Sequence, residues 1–153
     1  MSRPTPSMLA SSGSEDGHQA ALFCAIADDL AAGIIPAEAA LMYAIPNGGA
    51  RGDNERSNKI RGGKLKQTGV KRGVPDTHLP VAMRGYLSLY IELKRPKSDR
   101  GRAGKANEEQ NEWHDNLRAQ GHCVLICIGW EQAYKAVRGY LAGEKTQLAQ
   151  KSA

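Results

Sequence analysis

The stretch Tyr86–Lys94 constrains this chain more than any other. It reads YLSLYIELK, with Leu87, Leu89, Ile91 and Leu93 alternating with Tyr86, Ser88, Tyr90, Glu92 and Lys94. Successive side chains of a strand point to opposite faces, so this period of two predicts a β-strand with one face on a core. Residues two apart on such a strand lie roughly 6.6 Å from each other. Glu92 and Lys94 therefore project together from the polar face, an acid and a base in one small space. Upstream stands Gly73-Val74-Pro75-Asp76, where glycine and proline punctuate the chain. Asp76 is expected on a neighbouring strand, with its carboxylate reaching the same point. Two carboxylates at one point repel unless a cation joins them, and hard oxygen donors of this kind suit magnesium or manganese. The plainer reading, a structural ion pair between Glu92 and Lys94, leaves Asp76 unexplained.

The 153 residues are enough for one domain with a core of its own. Three cysteines, Cys24, Cys123 and Cys127, are odd in number and sit in apolar stretches, which predicts reduced core residues rather than a disulfide framework. Cys123 and Cys127 fall on one face of a strand, but no further Cys or His spacing completes a zinc site. No apolar run approaches the ~20 residues of a membrane span, and the N-terminus lacks a secretory pattern. A soluble, cytoplasmic protein is expected. The net charge is +5, and its placement matters more than its size. Between Asn47 and Gly73 stand eight basic residues, Arg51, Arg56, Lys59, Arg61, Lys64, Lys66, Lys71 and Arg72, against Asp53 and Glu55. All the net positive charge leads into Pro75-Asp76, as expected of a segment that guides a polyanion to that site. A solvated charged face is the alternative.

In chain order, residues 1–13 lack an apolar period and are expected to form a disordered leader. Residues 14–32 repeat apolar positions at helical spacing, with Gly33 as a stop. Glu15, Gln19, Leu22 and Ile26 share one stripe of that helix. Glu15 then either points a carboxylate toward the site or completes a capping box with Ser12. Leu41–Ile45 predicts a short strand, ended by Pro46 and Asn47-Gly48-Gly49. Those glycines suit either close approach to a phosphate or a plain turn. Asn54–Gln67 is a candidate basic helix anchored by Ile60 and Leu65, and residues 95–105 form a basic, glycine-containing loop. Ala106–Gln120 predicts a helix whose inward face carries Ala106, Gln110, Trp113 and Leu117. A glutamine there needs a partner, either backbone or the site. His122–Ile128 reads as a strand covered on both sides, and Trp130–Ala142 as a closing helix with Ala133, Tyr134, Val137 and Leu141 inward. The tail beyond residue 142 is expected to fray. His18, His78, His114 and His122 share no ligand spacing and read as structural or solvated. This order of elements fits an α/β sandwich.

Pro75-Asp76 followed by Glu92-Leu93-Lys94 resembles the PD-(D/E)XK nuclease signature. The wider series resembles its VRR-NUC branch, the virus-type replication-repair nucleases. That series comprises Pro46-Asn47-Gly48-Gly49 with Arg51, Lys64-Leu65-Lys66 with Gly69, Gly73-Val74-Pro75-Asp76 and Ile91-Glu92-Leu93-Lys94. It continues through Gln110, Trp113, Leu117 and Gly121 to Gly129-Trp130-Glu131. The resemblance spans residues 15–141. A lone P-D with E-x-K occurs by chance in many chains, whereas the ordered series is specific.

The resemblance implies a restriction-endonuclease-like core, a central mixed sheet flanked by helices, occupying residues 14–142. It implies a metal-dependent DNA endonuclease using Mg2+ or Mn2+. Asp76 and Glu92 would be direct ligands, the Leu93 backbone carbonyl a further one, and Glu15 the first-helix ligand, with Asp16 as its competitor. Lys94 and Gln110 would complete the catalytic set. Asn47 and the eight basic residues would contact DNA. Small stand-alone members act on branched DNA, which implies four-way (Holliday) junctions as substrate, a phage or prophage origin, and a homodimer, since paired cuts need two sites. The alternatives are a flap or single-strand nuclease with the same site, or a basic nucleic-acid-binding module without activity.

Overall fold

The computed structural model describes residues 3–46, 62–97 and 107–148. A single turn of helix, α1 (Pro6–Ala10), precedes the long helix α2 (Glu15–Ala31). A 3-10 turn over Ala37–Leu41 leads into β1 (Tyr43–Ala44). Residues 62–67 are helical (α3). Then come β2 (Thr77–Leu79), β3 (Leu89–Lys94), α4 (Glu108–Ala119), β4 (Cys123–Ile128) and α5 (Trp130–Leu141). The strands form one mixed sheet in the order β1-β2-β3-β4, in which β1, β2 and β3 pair antiparallel and β3 pairs parallel with β4. A parallel neighbour needs a crossover, and α4 supplies it.

The alternation in β3 sorts the layers. Leu89, Ile91 and Leu93 are buried in one cluster with Leu22 and Ile26 of α2 and Ala133, Val137 and Leu141 of α5. Glu92 and Lys94 point to the opposite face, which α4 covers. Helices thus flank both faces of the sheet, the α/β sandwich expected.

Several local readings change. Residues 6–10, expected within a disordered leader, are helical because Pro6 starts the turn and the Thr5 hydroxyl accepts from the Met8 amide. Arg3 then pairs with Asp28 of α2. Helix α2 is capped by Ser14, whose Oγ accepts from the Gly17 amide, so the Ser12–Glu15 capping box does not form. Gly17, unfavourable in a helix, is needed there: a Cβ would meet Ser12 Oγ at 2.4 Å and the Leu9 carbonyl at 2.7 Å.

The third change concerns β3, which starts at Leu89 rather than Tyr86. The amides of Tyr86 and Leu87 bond to Met83 and Gly121, and Leu87 is 46% exposed rather than inward. The fourth concerns β4, which among the described residues is an edge strand rather than one covered on both sides. Ile126 and Ile128, registered against Glu92 and Lys94, are 44% and 50% exposed. An apolar run reports strand tendency, and position in the sheet decides burial. Beyond Leu141 the chain stays attached: the Arg84 amide donates to Glu144, Met83 bridges Lys145, and the Thr146 hydroxyl donates to the Tyr86 carbonyl.

Trp130 packs against the core, and all three cysteines are free. Among the described residues no helix is long and apolar enough to cross a membrane. The expected helix over 54–67 is seen only in its last turn, and most of the 95–105 loop lies outside the described residues.

Candidate active site

Two features bring Asp76 to β3. Gly73 takes φ +80, and a Cβ on it would lie 2.8 Å from the Glu109 carbonyl carbon and oxygen and 3.0 Å from Trp113 Cδ1. Only glycine lets the loop lie this close to α4 in this conformation. Pro75 is buried, and the Asp76 carbonyl accepts from the Ile45 amide, so the loop enters β2 already registered against the strand before it. Asp76 then stands one residue before β2 rather than within it. Its Oδ2 accepts the Leu93 amide at 2.7 Å, between Glu92 and Lys94. The two acids found in the sequence meet at the same point of β3.

Glu92 is 1% exposed. Its Oε1 accepts from Lys94 Nζ at 2.6 Å and from Gln110 Nε2 at 2.5 Å, while Lys94 Nζ also donates to Gln110 Oε1 at 3.2 Å. Gln110 itself is tied into the N-terminus of α4. Its amide donates to Asn107 Oδ1 and its Oε1 accepts from the Asn107 amide, a capping box in which an asparagine takes the capping role. The cap that starts the helix therefore also fixes the side chain that holds Glu92 and Lys94. Lys94 is as buried as the strand interior, and the Gly129 amide donates to its carbonyl, tying the end of β3 to the start of α5.

The Glu92 carboxyl is raised from its ordinary value to about 7, by burial first and then by the Asp76 charge, with a smaller push from Glu15, against the opposing hydrogen bond and charge of Lys94. Glu15 is exposed in the first turn of α2, close enough to act on Glu92 through space. Asp16 is exposed beside it.

Sequence reasoning missed His114. It lies one helical turn beyond Gln110, is 1% exposed, and places Nε2 3.8 Å from Glu92 Oε2. Its signal is the i,i+4 spacing from Gln110, which puts both side chains on one face of α4. The other three histidines are structural, as expected. The Trp130 amide donates to His18 Nδ1, which caps α5 where Gly129 has no side chain to do so. His78 Nε2 and His122 Nδ1 both bond to Ser88 Oγ, and His78 stacks on Tyr90.

Of the expected DNA contacts, Lys64, Lys66, Lys71 and Arg72 are exposed on the segment leading to Asp76. Asn47, Arg51, Arg56, Lys59 and Arg61 lie outside the described residues. Among the described residues no group of three or more His, Cys, Asp or Glu side chains is gathered as a metal site.

No family model matches the chain, and no curated protein matches it. Among solved structures, a VRR_NUC domain protein shares its architecture with a TM-score of 0.52 over 71% of this chain and 74% of that one, at 23% identity. The chain therefore has the fold of a VRR-NUC domain, the restriction-endonuclease-like α/β arrangement that its ordered motif series implies.

Proposed function

We propose that the chain is a divalent-metal-dependent DNA endonuclease that hydrolyses phosphodiester bonds, acting on branched DNA such as four-way junctions. The observation that carries this reading is Glu92: a buried carboxylate raised to about 7 by burial and by Asp76, with Lys94 and Gln110 bonded to it. A structure keeps an acid under such stress chiefly where the acid has work to do. The VRR-NUC fold supports the same reading.

The donor set fits Mg2+ or Mn2+. Glu92 Oε2 is a buried carboxylate oxygen with no hydrogen-bond partner among the described residues, and Asp76 is close enough to raise the Glu92 pKa. Magnesium keeps several of its waters and binds through one or two carboxylates together with substrate phosphates, so a pair of acids suffices. Asp76, Glu92 and the Leu93 carbonyl would hold the ion, with Glu15 reaching it directly or through water. Bound there, it supplies a water of lowered pKa and a polarised phosphoryl oxygen.

The remaining residues position and neutralise. Lys94 Nζ, held by Glu92 and Gln110, orients the attacking water or stabilises charge on the phosphate. Gln110 keeps Lys94 and Glu92 in register. Lys64, Lys66, Lys71 and Arg72, with Arg51, Arg56, Lys59, Arg61 and Asn47, hold the DNA backbone. Paired cuts across a junction need two copies of this site, so a homodimer is the corollary.

The test is cleavage of a labelled four-way junction beside matched linear and flapped duplexes, with Mg2+, Mn2+ or chelator, by wild type and Asp76→Ala. Paired symmetrical cuts that need the metal and vanish in the variant support the full reading. Cutting confined to flaps or single strands replaces the substrate but keeps the chemistry. Binding without cleavage under every metal leaves a DNA-binding module. A monomer in sedimentation at working concentration counts against paired cutting.

A further inference from the structure

Helix α4 offers Glu92 two polar side chains, Gln110 and His114, four residues apart and so on one helical face. Gln110 is bonded to Oε1. His114 Nε2 faces Oε2 at 3.8 Å, and both atoms are buried without a hydrogen-bond partner among the described residues. Buried polar atoms without partners are uncommon, and here two of them face each other.

We propose that His114 is a positioning residue that donates its Nε2–H to Glu92 Oε2 and so fixes the orientation of that carboxylate. The inference rests on the nuclease reading of the site for its consequence, but not for the contact itself. A charge-assisted N–H···O bond spans about 2.8 Å, so the two atoms need to approach by about 1 Å. The ring torsion of a histidine is broad, and a small rotation of the His114 imidazole provides that movement while Oε1 keeps its bonds to Lys94 and Gln110.

An inventory of lone pairs gives the consequence. A carboxylate has about four acceptor sites. Lys94 and Gln110 occupy both on Oε1, and His114 takes one on Oε2. A single acceptor direction then remains, and His114 decides where it points. Without His114 only the two bonds on Oε1 hold the carboxylate, and the last direction is aimed less narrowly. Arg118, Lys94, Asp115 and Asp76 are the charged groups acting on the ring, and burial first, then Arg118 and Lys94, hold its pKa below the usual histidine value. A neutral ring carries one N–H, so the contact requires the Nε2–H tautomer.

Nitrogen-15 NMR of the histidine rings in metal-free wild type reads that tautomer directly. We expect Nε2–H at His114, with its proton shift moving on Glu92→Gln. The Nδ1–H tautomer overturns the proposal, whether or not the protein cuts DNA. Kinetics supply the second arm. His114→Leu should lower kcat about 10–100-fold, the range for losing a partner that orients a ligand, with KM for DNA unchanged. His114→Gln, whose amide reaches the position of Nε2, should recover most of that loss, whereas His114→Asn should not. Equal kcat in all three variants, or equal loss in Gln and Leu, overturns it. Should His114→Leu fail to fold, the wild-type tautomer and the Gln–Asn difference still decide. If wild type cleaves no DNA, the nuclease reading fails while the tautomer still tests the contact.

Discussion

Replacing Glu92 by glutamine tests whether this acid is held in the folded protein at real energetic cost. In the unfolded chain its carboxyl titrates near 4.5, and in the folded chain near 7. Between those values the folded state keeps a proton that the unfolded state has lost, so stability falls as pH rises through the window. Below about 4.5 both states are protonated and the cost is absent; above about 7 both are ionised and the cost is complete. At roughly 1.4 kcal/mol per pH unit, the difference comes to about 3 kcal/mol. Glu92 is 1% exposed, so solvent screens little of it.

Glutamine keeps the shape and has no proton to lose. Loss of the anion beside Lys94 contributes an offset between the two proteins rather than a slope. The stability of Glu92→Gln minus that of wild type should therefore climb by about 3 kcal/mol from pH 4.5 to pH 8. Urea unfolding in the presence of chelator measures this, as a relative gain in midpoint of about 1 M or more. A difference curve that stays flat across the window refutes the reasoning. So would a difference that falls as pH rises below about 4.5, which would place the folded Glu92 carboxyl below its ordinary value.

Asp76→Asn keeps an oxygen for the Leu93 amide and removes the charge that raises Glu92; carbon-13 titration should find the Glu92 carboxyl below about 7, and DNA cleavage should be lost. Gly73→Ala places a methyl 2.8 Å from the Glu109 carbonyl at φ +80; denaturation should show a loss of about 2 kcal/mol or more, and wild-type stability would refute the close approach. Lys71→Glu with Arg72→Glu, both exposed, should weaken DNA binding without changing the thermal midpoint. The slope of log affinity against log salt should fall by about two.

The sequence by itself determined most of the elements and the side chains that gather on β3. Alternation in residues 89–94 specified the strand, because the face of each side chain follows from backbone geometry alone. Helical periods in α2, α4 and α5 set which sides face inward, and Asp76, Glu92, Lys94 and Gln110 were legible as a set. Tertiary structure decided the rest, because each remaining question concerned partners distant in the chain. Gly17 and Gly73 look like helix and loop weaknesses until α1 and α4 are seen against them. The run of residues 123–128 is apolar enough for a central strand, yet among the described residues no strand lies beyond β4. The raised Glu92 carboxyl depends on burial and on Asp76 arriving from the loop that enters β2. His114 belongs to the site only because the crossover from β3 to β4 lays α4 over the face from which Glu92 projects.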